Sequence, residues 1–303
     1  MQNTSHLLMI RPVNFGFNAE TAVNNAFQVA GTDSSIQEKA LKEFDAFADL
    51  LIKNRIDITI INDTPEPFTP DSIFPNNWIS FHEDGTIILY PMFAANRRKE
   101  RKEHVLDTIK HKFAVTELID LSNYEHKHMF LEGTGSMVLD RDNKIAYTCL
   151  SPRTNIEALN KFCSVAHYTT TLFRSVDATG TPVYHTNVVM CVADKYVVVC
   201  LDSIPNKEEQ ENLIRTIKQT NKIIIAISLE QMHAFAGNML QVINKAGEKL
   251  LILSSQAYHS LTTEQLDILK RYNRILYSPL TTIETSGGGS ARCMLAEIFL
   301  KPL

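Results

Sequence analysis

A hairpin followed by a helical stretch recurs along this chain, and a repeated unit of that length restricts the fold more than any other feature of the sequence. The segment WISFHEDGTIILYP reads as a strand, an Asp84-Gly85 turn and a second strand, and RRKERKEHVLDTIK after it is helix-like. SMVLDRDNKIAYTCLSP repeats the hairpin around Asp142-Asn143, NVVMCVADKYVVVCLDSIP around Ala193-Asp194, and MLQVINKAGEKLLILSS around Ala246-Gly247. The helical stretches NKEEQENLIRTIKQ and TTEQLDILKRY follow the last two. Successive turns stand 52 to 58 residues apart. A fifth unit requires both ends of the chain: SARCMLAEIFL as one strand, HLLMIRPVNF as the next, and SIQEKALKEFDAFADLLIK as the helix. Pairing the terminal strands closes a ring and leaves only short sheet edges. An open, doubly wound sheet is the competing reading of strand–helix alternation. Hairpins, rather than single strands, ahead of the helices favour the ring. No Pro/Gly/Ser-rich linker divides the chain, so residues 1–303 are expected to form one domain.

In such a ring the first strand of each unit starts near the axis, so polar residues just ahead of those strands converge. They are Asn76-Asn77, Glu132, His185 with Asn187, Gly237-Asn238 and Cys293. A thiol, an imidazole and a carboxylate at one mouth are the set needed for nucleophilic catalysis. Cys293 follows GGGSAR, which permits close backbone approach and offers amide N–H groups. No Lys-Ser/Thr follows the glycines, so a phosphate-binding loop is excluded.

Composition narrows the partners. Thirty Lys and Arg against 34 Asp and Glu give a net charge of −4, the wrong sign for bulk attraction to nucleic acid. No apolar run approaches the roughly 18 residues of a membrane span, and MQNTSHLLMIRP has no signal pattern. Five cysteines (149, 163, 191, 200 and 293) form no CxxC pair and are expected to be reduced, which fits the cytoplasm. Glu125, His126 and His128 crowd one short stretch, a poor metal signal without a distant fourth ligand, and a solvated loop is expected there. PVNFGFN is open to two readings, a lid over the mouth or packing between units.

The segments PDSIFPNNW, LEGTGSMVLD, CLSPRTN, HTNVV and GGGSARCM together resemble the guanidine-modifying enzyme superfamily. Its members include arginine deiminases, dimethylarginine hydrolases and amidinotransferases, and the citrulline-utilisation hydrolase branch is the most similar. The resemblance spans nearly the whole chain. It implies an α/β fold, a five-bladed, pseudo-symmetric α/β propeller (pentein) of ββαβ-type repeats closed by the two termini. It also implies a small amino-acid substrate and neither metal nor organic cofactor. Carried onto this sequence, Cys293 would be the nucleophile, His185 the general acid/base and Glu132 the carboxylate that orients it. Arg153 would grip the substrate α-carboxylate, aided by Arg97 rather than its neighbour Arg98. Asp71 would accept from a substrate ammonium or cap a turn.

Two departures bear on the substrate. Deiminases carry aspartates where this chain has Asn77 and Asn187, and both clamp a cationic guanidinium. Leaving one buried charge unpaired costs roughly 3–5 kcal/mol. An asparagine can both accept from an N–H and donate to a carbonyl oxygen, which suits a neutral ureido group. The expected reaction is hydrolysis of citrulline to ornithine, CO2 and ammonia through a covalent Cys293 intermediate. A guanidino substrate, with deiminase, dimethylarginine hydrolase or amidinotransferase chemistry, is the enzymatic alternative. A non-catalytic propeller such as the ribosome anti-association factors is the other. The oligomeric state is not legible.

Overall fold

The computed structural model describes residues 1–31 and 34–303 and contains five three-stranded sheets. Four are built from consecutive sequence: Ile79–Phe81, Thr86–Leu89 and Glu117–Asp120; Met137–Asp140, Ile145–Cys149 and Thr169–Phe173; Met190–Val192, Tyr196–Val199 and Ile223–Ala226; Leu240–Ile243, Lys249–Ser254 and Arg274–Ser278. The fifth joins Ala296–Ile298 from the C-terminal end to His6–Arg11 and Asp57–Asn62. In every sheet the first strand is antiparallel to the second and the second parallel to the third. A parallel pair needs a crossover, and the helical stretch supplies it. The fold is the five-bladed α/β propeller, with ring closure by His6↔Ile298 and Leu8↔Ala296 pairing.

Local sequence explains the parts. The helix Ile36–Lys53 buries Ala40, Phe44, Phe47, Ala48 and Leu51, a single face at helical spacing. Asn155 and Asn206 cap the helices Ile156–Ala166 and Lys207–Gln219 by accepting from first-turn N–H groups. The middle strand Tyr196–Val199 is buried throughout, as expected of a strand covered on both faces. Its Val198 packs with Val188, Leu213 and Leu251 in one apolar cluster. Comparable clusters gather Leu7, Phe44 and Val242, then Leu8, Ile79 and Ile87, then Leu139, Leu159 and Phe162, so the core runs around the ring.

The fold places two segments singled out in the sequence. Phe15 of PVNFGFN is buried in the core with Ile73 and Phe74, so this stretch packs between blades. Glu125 accepts from both Nη atoms of Arg101, at 2.7 and 3.0 Å, and from the Met92 N–H at 2.8 Å. Glu125 thus braces the first blade, while His126, Lys127 and His128 are exposed to solvent as expected. Among the described residues no helix is long and apolar enough to cross a membrane.

Candidate active site

The segments ahead of the inner strands wind into single turns at Pro75–Asn77, Gly133–Ser136, Thr186–Val189 and Ala291–Met294. Glu132 and His185 occupy the cap positions of the second and third, Asn77 ends the first, and Cys293 lies within the last. The five-fold repeat thereby brings residues more than 200 positions apart to one end of the ring. One narrow cavity is lined by Asp71, Asn77, Arg97, Arg153, His185 and Cys293. Glu132 lies behind His185, and Asn187 lies on the axial side of the sulfur, lining a second small cavity with Gln241, Arg292 and Glu297.

His185 Nε2 is 2.7 Å from Glu132 Oε2. The other carboxylate oxygen accepts from the Phe93 N–H at 3.0 Å, and Arg153 Nη1 lies 3.4 Å from Oε2. Burial alone would raise the Glu132 carboxyl. The Arg153 guanidinium, the His185 hydrogen bond and Arg97 override it and hold the acid well below the usual carboxylate range. An ionised Glu132 assigns the proton to Nε2 and leaves Nδ1 as the basic nitrogen. Burial pushes His185 down to about 4 despite Glu132, so the resting imidazole is neutral. Burial also pushes the Cys293 thiol up, against the Ser290 backbone, Asn238, Arg292 and Asn187. The resting pair is thiol and imidazole, not thiolate and imidazolium.

Around these groups the polar atoms are tied down. Arg97 makes a two-pronged contact with Glu100 at 2.8 and 3.0 Å and donates to Asn77 Oδ1 at 2.9 Å. Arg98 instead donates to the Met92 and Phe93 carbonyls, so Arg97 is the arginine at the cavity. Arg153 donates to Asn24 Oδ1 at 2.7 Å and the Thr21 carbonyl at 2.8 Å, with Cζ 4.8 Å from the Tyr184 ring centroid. Asp71 Oδ2 accepts from Asn18 and Thr21, whereas Asp71 Oδ1 and Asn77 Nδ2 are buried without a partner. Gln28 reaches the Ser286 carbonyl, so residues 18–28 cover the mouth. Asn18, the last residue of PVNFGFN, belongs to that cover, whereas residues 19–28, one helical turn Ala19–Ala22 and a loop, carry no periodicity to mark them in the sequence.

The buried imidazoles have a measurable consequence. Burial also pushes His82 down to about 3, with Ser80 Oγ 2.9 Å from its Nε2. An unfolded chain protonates such a group near pH 6.5 while the folded one does not, so its contribution to stability is complete above 6.5 and is lost as pH falls toward 3. Glu100 and Glu284, pushed up to about 7 by burial, act in the opposite sense. The difference between wild type and His82→Asn isolates the imidazole. The gap in thermal midpoint is expected to narrow from pH 7 to pH 4.5, and a constant gap would mean that His82 is not held neutral.

A family model described as N,N dimethylarginine dimethylhydrolase, eukaryotic, matches residues 11–300. No curated protein sequence matches. Among solved structures, an apo structure of the cyanobacterial arginine dihydrolase ArgZ of the ornithine–ammonia cycle superposes with a TM-score of 0.75 at 16% identity, covering 98% of this chain and 41% of its own. The chain thus spans about two fifths of that protein. Its substrate-bound N-terminal domain gives 0.74 at 16% identity, with 97% and 99% covered. A dimethylarginine dimethylaminohydrolase adduct with S-methyl-L-thiocitrulline gives 0.68 at 16%, with 98% and 100% covered. With nearly its whole length matched, the chain belongs to the N,N dimethylarginine dimethylhydrolase family, and through it to the hydrolases of the guanidine-modifying enzyme superfamily, which act on C–N bonds.

Proposed function

We propose that this chain hydrolyses the ureido group of citrulline, or of a close relative, through a covalent adduct on Cys293. One observation carries the choice: the carboxamides around the sulfur present N–H donors. Asn77 Oδ1 accepts from Arg97, which turns its Nδ2 into the cavity, and Asn238 Oδ1 accepts from the Arg292 N–H at 3.0 Å, which turns its Nδ2 toward the Asn187 carbonyl and the sulfur. Asn77 Nδ2 has no partner, and Asn238 Nδ2 points at the sulfur. A ureido oxygen, and the oxyanion that grows on it, can use such donors; a guanidinium has five N–H groups and nothing to accept with.

Cys293 Sγ adds to the ureido carbon while its proton passes to His185 Nδ1, and Glu132 stabilises the imidazolium. His185 returns the proton to the departing δ-nitrogen, ornithine leaves, and a carbamoyl thioester stays on Cys293. His185 then takes a proton from water, whose oxygen attacks the thioester. Carbamate departs and decays to CO2 and ammonia. Arg153 would receive the substrate α-carboxylate in place of Asn24 and the Thr21 carbonyl, which requires residues 18–28 to shift. Asp71 Oδ1 would receive the α-ammonium.

A guanidino substrate is the second reading. The comparisons support it better than the ureido reading: the family description names dimethylarginine, and the cyanobacterial structures are of an arginine dihydrolase. Incubation with citrulline, arginine and N,N-dimethylarginine, with ornithine, citrulline, ammonia and dimethylamine measured, separates the two. Ornithine from citrulline as the preferred reaction supports the ureido reading. Faster consumption of arginine or dimethylarginine overturns it in favour of the guanidino reading.

Asn77→Asp tests the charge argument at a single atom. Its carboxylate keeps the Arg97 contact and replaces the free donor with an acceptor. The ratio of kcat/KM for arginine to that for citrulline is expected to rise about 10- to 100-fold, the worth of a charge-assisted hydrogen bond. An unchanged ratio would remove Asn77 from substrate discrimination.

A further inference from the structure

We propose that Asn238 is a further catalytic residue, whose Nδ2–H donates to Cys293 Sγ in the two moments when the sulfur carries negative charge. The assignment rests on the proposed role of Cys293 as the nucleophile, and it adds the fourth blade to a set otherwise drawn from the other four.

Asn238 is fully buried, and its Nδ2 lies 3.3 Å from Sγ, against 3.7 Å for the Asn187 amide. Three contacts hold the carboxamide still. Its oxygen accepts from the Arg292 N–H at 3.0 Å, and its nitrogen donates to the Asn187 carbonyl at 2.8 Å as well as to the sulfur. It therefore links the turn that bears Asn187 to the turn that bears Cys293. Gly237 permits the close approach: a Cβ there would lie 2.2 Å from the Val188 carbonyl oxygen. The neighbouring cation does not substitute for this donor, since the Arg292 guanidinium is turned to the Leu295 carbonyl at 2.8 Å and Glu297 at 2.9 Å.

Two steps need the donor. Before attack, loss of the thiol proton to His185 leaves a thiolate in a buried setting that penalises charge. After water adds to the carbamoyl thioester, the tetrahedral adduct collapses: the Sγ–C bond breaks, its electron pair returns to sulfur, and carbamate departs. In the thioester between these steps the sulfur is uncharged and a weak acceptor. A donor fixed on Sγ thus favours the charged states over the neutral intermediate, the condition for an interaction to raise rate and not merely affinity. Asn238 touches sulfur rather than substrate, so its loss should lower kcat and leave KM within a few-fold of wild type.

The test is the pH dependence of Cys293 alkylation by iodoacetamide in the absence of substrate. The modified residue is located by peptide mapping, and folding is checked by circular dichroism. Asn238→Ala removes the donor and adds no charge. Asn238→Asp keeps an acceptor for the Arg292 N–H and puts a carboxylate against the sulfur. Both variants are expected to react at least about tenfold more slowly at pH 7.5, with the midpoint of the profile moved to higher pH, further for Asp than for Ala. A residue that merely anchors the Arg292 backbone would weaken thermal stability in Asn238→Ala and leave that variant's midpoint at the wild-type pH, and that result overturns the proposal. If Asn238→Ala does not fold, Asn238→Leu, of similar shape and with neither donor nor charge, decides by the same criterion. Failure of the substrate assignment is read separately: a protein that ignores citrulline but shows these shifts retains the Asn238 role.

Discussion

Alanine in place of His185 is expected to lower turnover by roughly 10²–10⁴-fold, the range for loss of a positioned proton carrier. Alanine in place of Cys293 should abolish turnover together with any covalent adduct. The expectation follows from the resting charges. With the thiol pushed up and the imidazole held down to about 4, neither group is charged at neutral pH in the free protein. In the proposed reaction the nucleophile is made only when Nδ1 takes the thiol proton, and the leaving amine is protonated from the same atom. The sign of the pH profile follows: kcat/KM should fall on the acid side as the imidazole charges near 4 and stay level through neutral pH, because passing the thiol proton to Nδ1 changes no net protonation. Removing a neutral side chain leaves Glu132 with its Arg153 contact and the Phe93 N–H, so the alanine variant keeps a compensated carboxylate. Glu132→Gln is a poorer probe. It strips the buried Arg153 and Arg97 of a counter-charge, a loss of roughly 3–5 kcal/mol for a broken buried pair, and confounds catalysis with stability. Ornithine release by folded His185→Ala above a tenth of the wild-type rate would remove the imidazole from its proposed role.

The ring was legible because four blades begin with a hairpin, turning at Asp84-Gly85, Asp142-Asn143, Ala193-Asp194 and Ala246-Gly247, and because the spacing leaves a half unit at each end of the chain. The positions of Glu132, His185 and Cys293 followed from the same periodicity: residues one repeat apart occupy equivalent places at the axis. The third strands were harder to see. Glu117–Asp120 and Ile223–Ala226 are short, mostly exposed edges, with little alternation to read. Hydrogen-bond direction was not legible at all. That Asn77 turns its oxygen to Arg97, and Asn238 its nitrogen to sulfur, depends on neighbours 20 and 55 residues away in the chain. Asn238 stood among the residues expected to converge, yet nothing in FAGNML distinguishes an amide that touches the nucleophile from one that ends a loop. Asn187 illustrates the converse, since it reaches the sulfur from the axial side rather than from the substrate cavity.

Gly135→Ala should be nearly as damaging as loss of His185, although glycine 135 has no side chain to contribute. An added Cβ would stand 2.4 Å from Asn77 Nδ2 and 2.8 Å from both Cε1 and Nδ1 of His185. Carbon does not tolerate such distances, so one side chain must move, and neither is loose. Asn77 is pinned by Arg97 through its oxygen, and His185 by Glu132 through Nε2. Overpacking of this kind costs roughly 1–3 kcal/mol in stability, which a protein of this size survives. Catalysis has a narrower tolerance, because a shift near 1 Å in a positioned group can cost about 10²-fold. The expected result is a folded protein with turnover reduced about 100-fold or more and the high-pH plateau of Cys293 alkylation, where the thiol ionises without His185, close to wild type, since the Asn187 and Asn238 contacts of the sulfur lie in other blades. Thermal unfolding and alkylation rate, measured beside ornithine release, separate this outcome from general damage. Turnover within threefold of wild type would show that the space around the glycine yields, and that Nδ1 of His185 does not need its observed position.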